Sequence, residues 1–107
     1  MTDATLRVEL ERLARRLATL GPARLGRSLP DGTATPADAA HRFAQRVGDA
    51  TAAAEGVPVR PVPRLADRAA ADQLTVLVRD LLAVAERVPQ PTLAELARSA
   101  TELRRRL

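Results

Sequence analysis

The sequence predicts an all-α, four-helix bundle whose third helix is long and central, with a proline-rich extended connection at about residues 57–63. Three observations carry this expectation. Apolar residues recur at three- and four-residue steps in four separate stretches. Prolines fall at or between the ends of those stretches, where they punctuate helices and do not break them. No strand-type alternation runs for more than a few residues, so the 107 residues read as one helical domain.

The first stretch places Leu6, Leu10, Leu13, Leu17 and Leu20 at alternating four- and three-residue steps, a narrow seam of heptad type on one helix face. Thr2 or Asp3 is expected to cap its start, and Gly21-Pro22 to end it. The connection over residues 21–35 is longer than compact domains usually tolerate without structure of its own. A short helical turn around Pro22–Ser28 is therefore expected, docking Leu25 and Leu29.

The second helix has the clearest start. Thr35 suits the N-cap, Pro36 the first helical position, and Asp38 falls at the third. Ala40, Phe43, Ala44, Val47, Thr51 and Ala54 then repeat at helical spacing until Gly56 and Pro58. Residues 57–63, Val-Pro-Val-Arg-Pro-Val-Pro, cannot be helical, because three prolines two or three residues apart impose a polyproline-like strut. The third helix is expected from about Arg64 to Val88. Its apolar residues, from Leu74 through Val88, span an arc of roughly 160° at 100° per residue, wide enough for two neighbours. At 1.5 Å per residue it would be about 37 Å long against about 24 Å for the first helix, so the turn after Gly21 or a partner chain must cover its surplus. Pro89-Gln90-Pro91 breaks the chain. Thr92-Leu93-Ala94-Glu95 has the form of a capping box and opens a last helix with Leu93, Leu96, Ala97, Ala100, Leu103 and Leu107 on one stripe.

Composition sets the character of the core. Hydrophobic residues make up 46% and charged residues 28%, too apolar for a disordered chain. Phe43 is the only aromatic residue, and the apolar share is mostly Ala and Leu. Such a core removes little area per contact, so at about 25 cal/mol per Å² it stabilises less per residue than one built on Phe and Ile. A second copy of the chain is one way to complete it.

Charge argues less for nucleic acid than it first suggests. The isoelectric point is about 11.3, yet the net charge is only +4. All 17 basic residues are Arg, which keeps its proton to very high pH and so inflates the isoelectric point. The last helix could pass for a recognition helix, but its first turn offers Thr92, Leu93, Ala94 and Glu95, none suited to reading base edges in that role. Aromatic stacking on single strands is equally unsupported.

The inventory for catalysis is thin. Without cysteine there is neither a disulfide framework nor a thiolate. The single histidine, His41, has Asp38 three residues before it and Gln45 four after. That could orient a general base, but no nucleophile has an evident place beside it, and a boundary histidine bonding along its own helix accounts for the pattern. No metal-ligand spacing and no glycine-rich phosphate loop occurs. Asp67 near the start of the third helix complements the helix dipole, or makes a polar contact that fixes the strut or a partner. Asp72 can pair with Arg68 and Arg79, and Glu102 with Arg106. The start of the chain has no apolar leader and no stretch could span a bilayer, so the expected location is cytoplasmic, away from membranes.

The leucine seam leaves two readings open. It packs on the third helix of its own chain, or it pairs with a second copy, where Glu9 and Arg16 at flanking positions would suit an antiparallel match. The expected function is a non-enzymatic protein–protein interaction or regulatory module, self-associating as a homodimer, with no cofactor or metal. Its expected contact residues are Leu6, Leu10, Leu13, Leu17 and Leu20 on the seam, and Arg60 and Arg64 presented by the strut. The alternative is a DNA-associated regulatory protein contacting phosphates through Arg7, Arg12, Arg15, Arg104, Arg105 and Arg106.

Overall fold

The computed structural model describes residues 3–107, with Asp3 described by its backbone alone, and among these residues the regular structure is entirely helical. The elements are α1 (Asp3–Thr19), the short α2 (Pro22–Leu25), α3 (Pro36–Glu55), α4 (Ala70–Ala83) and α5 (Gln90–Arg106), with single 3₁₀ turns at Asp67–Ala69 and Ala85–Arg87. The cap expected at Thr2 or Asp3 lies outside the described residues and side chains. Helices α1 and α3 each pack on both α4 and α5, around one core.

Local sequence explains most boundaries. At α3 the Thr35 hydroxyl accepts from the Asp38 N–H at 3.1 Å, and the Asp38 carboxylate accepts from the Thr35 N–H at 3.3 Å. This reciprocal box satisfies two donors that a helix start would otherwise leave open. Gly56 ends α3 with φ 70°, a left-handed conformation that costs glycine nothing. The expected turn after Gly21 forms as α2 and buries Leu25, with Leu29 buried just beyond it. It lies against the 3₁₀ turn Asp67–Ala69 and so covers the approach to α4.

The expected long third helix is corrected. Only Ala70–Ala83 is α-helical, 14 residues. Arg64–Ala66 are not helical, and the Arg64 guanidinium reaches sideways to donate to the Ala37 carbonyl at 3.2 Å. At the other end Val84 leaves the helical region (φ −121°, ψ 16°), and the following 3₁₀ turn lets Val84, Ala85 and Val88 all point into the protein. The wide apolar arc still finds its two neighbours, α1 and α3. The last helix also differs. It starts at Gln90 with Pro91 in its first turn, and no side chain caps it. Proline lacks an N–H that would be unsatisfied there anyway. Glu95 instead meets Arg46 on α3 at 2.9 Å.

The core is leucine and alanine with one ring. Leu6, Leu10, Leu13, Leu17, Leu74, Leu81 and Leu93 are almost fully buried, and Phe43 sits among them. Thr51, buried on α3, donates its hydroxyl to the Val47 carbonyl at 3.0 Å, so no polar group is stranded there.

Candidate interaction groove

The leucine seam is not available as a contact surface. Leu6, Leu10, Leu13, Leu17 and Leu20 are all buried within the single chain, at 0–6% exposure. Its flanking charges explain the direction. Glu9 accepts from the Thr101 hydroxyl of α5 at 2.7 Å, and Arg104 lies 3.8 Å from the same carboxylate. Arg16 donates to the main-chain oxygen of Leu107 at 2.8 Å. The positions that would have matched a second α1 are thus engaged by α5. The Thr101 hydroxyl, with Arg12 and Arg104 nearby, holds the Glu9 carboxyl below its ordinary range.

The strut is the more informative segment. An extended proline-rich chain makes no hydrogen bonds of its own, so its backbone groups need outside partners. Gln45 supplies two. Its Oε1 accepts from the Val62 N–H at 2.7 Å, and its Nε2 donates to the Arg60 carbonyl at 3.0 Å, with a further bond to Asp49 at 2.8 Å. His41 Nε2 lies 2.8 Å from the Val62 carbonyl, which can only accept, so the imidazole is the donor. From α4, Gln73 donates to the Pro63 carbonyl at 2.8 Å. His41 therefore bonds across to the strut and not along its own helix.

Arg64 is corrected as a presented residue. Its guanidinium lies 3.1 Å from both Asp38 and Asp67 besides bonding Ala37, so it is a fastener at the foot of the strut. Asp67 takes the strut-fixing role. Among the described residues Arg60 has only its carbonyl engaged, and its side chain stands exposed at a groove edge. Arg106, expected to pair with Glu102, reaches Asp31 instead at 2.7 Å. Among the described residues no ion pair joins Asp72 to Arg68 or Arg79. Three of the six arginines in the phosphate-binding alternative, Arg12, Arg104 and Arg106, have carboxylate neighbours within the chain.

Between the strut, the C-terminal half of α3 and the outer face of α4 lies an open groove of about 660 Å³. Val57, Val62, Leu65, Val76 and Leu77 line it, and Glu55, Arg60 and Asp80 stand among them. Val57, Leu65 and Val76 are each about half exposed, at 50%, 48% and 55%. With Val59 on the strut, at 58%, they are four of the five large apolar side chains left exposed among the described residues. Sequence reasoning named Arg60 here and missed the rest. The available signal was Val76, an apolar residue outside the buried arc of its helix, and three valines on a segment too extended to bury both sides.

The space beside His41 is much smaller, about 10 Å³, room for one water at most. Among the described residues no group of three or more potential ligand side chains is placed to hold a metal ion, and no helix is long and apolar enough to cross a membrane. No protein-family model, curated protein or solved structure matches the chain.

Proposed function

We propose that this chain is a non-enzymatic helical interaction module, and that its contact surface is the groove beside the strut. The observation that carries this reading is the gathering of Val57, Leu65 and Val76, three of the five exposed large apolar side chains among the described residues, along one groove. Exposed apolar side chains scattered singly need no explanation, whereas a contiguous set with charged residues at its edge is the usual anatomy of a protein contact. The strut gives one wall unusual rigidity for a connection, since prolines restrict it and Gln45, His41 and Gln73 bond it down. A preformed wall loses little conformational entropy when a partner docks.

The test compares three forms of the chain as bait: wild type, Val76→Glu in the groove, and Val8→Glu on the exposed face of α1. Proteins retained by wild type and the Val8 variant but lost with the Val76 variant support the reading. Equal retention by all three counts against it. Circular dichroism establishes that each variant is folded.

A further inference from the structure

We propose that the occupant of the groove is a basic amphipathic helix supplied by another protein. This rests on the interaction reading above and states the chemistry of the partner.

Charge selects its sign. The charged side chains lining the groove are Glu55, Asp80 and Arg60, two acids to one base on a chain whose net charge is +4. Among the described residues neither acid is in an ion pair. Both also stand where their own helices are already negative. Glu55 is the last residue of α3 and Asp80 is in the last turn of α4, and the carbonyl end of a helix favours a cation. The last turns of α1, α2 and α5 each carry arginine, whereas those of α3 and α4 carry no basic residue. Arg79, next to Asp80, is exposed and lies outside the lining. The helical walls of the groove therefore suit a cation brought from outside. Arg60, on the strut wall, repels that cation and holds it to the helical side.

The backbone selects the form. An added extended segment binds an edge through main-chain N–H and carbonyl groups. The strut is a poor edge of that kind. Pro58, Pro61 and Pro63 have no N–H, and Gln45 already takes the Val62 N–H and the Arg60 carbonyl. A partner must bind through side chains, as a helix laid in a groove does. Val57 and Leu65, at the two ends of the strut, both line the groove. At about 3.1 Å per residue they are about 25 Å apart, the length of a helix of about 16 residues. Apolar residues at i, i+3, i+4 and i+7 would meet Val57, Leu65 and Val76, and Lys or Arg on the flank would meet Glu55 and Asp80.

A displayed library of amphipathic helices of that length, randomised at the flanking positions, tests this. It is selected on the wild-type chain and counter-selected on Val76→Glu. The best peptide is then titrated against wild type, Glu55→Gln, Asp80→Asn and Arg60→Gln, each checked by circular dichroism. The proposal expects flanks rich in Lys and Arg. Binding should weaken about two- to five-fold on loss of either acid, the worth of an exposed ion pair, and hold or tighten on loss of Arg60. Acidic or balanced flanks overturn it, as does an affinity that neither acid variant lowers. A library that yields no peptide dependent on Val76 overturns it too. The bait comparison then separates the two ideas. Proteins still lost with Val76→Glu leave the interaction reading standing with a different partner, and equal retention by all three baits removes both.

Discussion

Gln45 does for Val62 what a neighbouring strand would do in a sheet. Its side-chain amide accepts from the Val62 N–H at 2.7 Å and donates to the Arg60 carbonyl at 3.0 Å, so a helix surface binds extended backbone on both of its hydrogen-bonding groups. The groove exists because this clamp fixes where the strut lies. Replacing Gln45 by Ala leaves the Val62 N–H without its acceptor in a half-buried position. The expected loss is about 1–3 kcal/mol of stability, from net values near 1 kcal/mol per bond. Amide exchange at Val62 should quicken well beyond that at Leu74 in the core of α4. Equal quickening at both sites would mean that the clamp serves the whole fold and not the strut.

The seam on α1 makes a second, opposite prediction. Leu10 and Leu13 are fully buried between α1 and its neighbours. Leu10→Ala should cost about 2–5 kcal/mol, the usual range for emptying a buried leucine site. That is a large share of the roughly 5–15 kcal/mol that holds a domain folded. The change should appear in urea denaturation and leave protein retention through the groove unaltered once the protein is folded. A Leu10→Ala variant that kept its stability but lost that retention would return the seam to the role of an interface.

How far the sequence could be read follows from where each signal resides. Thr35, Pro36 and Asp38 act within four residues of one another, so the start of α3 was legible as written. So were the turn at Pro22 and the extended strut, since proline acts on its own backbone and its immediate neighbour. The destination of the α1 seam was not legible, because heptad spacing is the same whether the partner is α4, α5 or another copy. The end of the third helix at Ala83 was hidden by apolar periodicity that continues through Val84, Ala85 and Val88 while the backbone does not. The clamp residues were the hardest. Gln45, Gln73 and Arg64 are ordinary surface residues in sequence, and only the path of the strut turns them into its partners. Arg60 was found at the groove from the same reasoning that misplaced Arg64, four residues on, where Asp38 and Asp67 happened to be within reach.

Acid should loosen the start of α3. The backbone N–H and hydroxyl of Thr35 hold the Asp38 carboxyl below its ordinary range, with Arg64 and Arg42 contributing. A carboxyl with a lowered folded value is protonated first in the unfolded chain. Its contribution is therefore complete above the ordinary aspartate range and declines as pH falls through the folded value. In Asp38→Asn that contribution is missing at neutral pH already, so the variant should be less stable than wild type at pH 7 and the gap should narrow toward pH 2. Thermal unfolding across that interval measures it. A gap that stayed constant with pH would show that Asp38 acts through shape and not through charge.

At Gly48 the helix α3 faces Val62 of the strut with no side chain of its own. A Cβ built there would stand 3.4 Å from Val62 Cγ2, at the near edge of ordinary contact, and nothing else would crowd it. Two effects then compete. Glycine inside a helix is about 1 kcal/mol less favourable than alanine, so Gly48→Ala gains on propensity. The added methyl touches Val62, whose half-buried side chain can shift by a few tenths of an ångström. Propensity should win, and Gly48→Ala is expected to raise stability by about 0.5–1 kcal/mol. Gly48→Leu reverses the balance, because a larger group must displace Val62 and with it the bonds from Gln45 and His41. That variant should keep its helical circular dichroism, exchange the Val62 amide rapidly and lose whatever the groove binds. A Gly48→Leu protein that held the strut as firmly as wild type would mean that the strut is positioned by its prolines alone, and that the clamp on α3 is incidental.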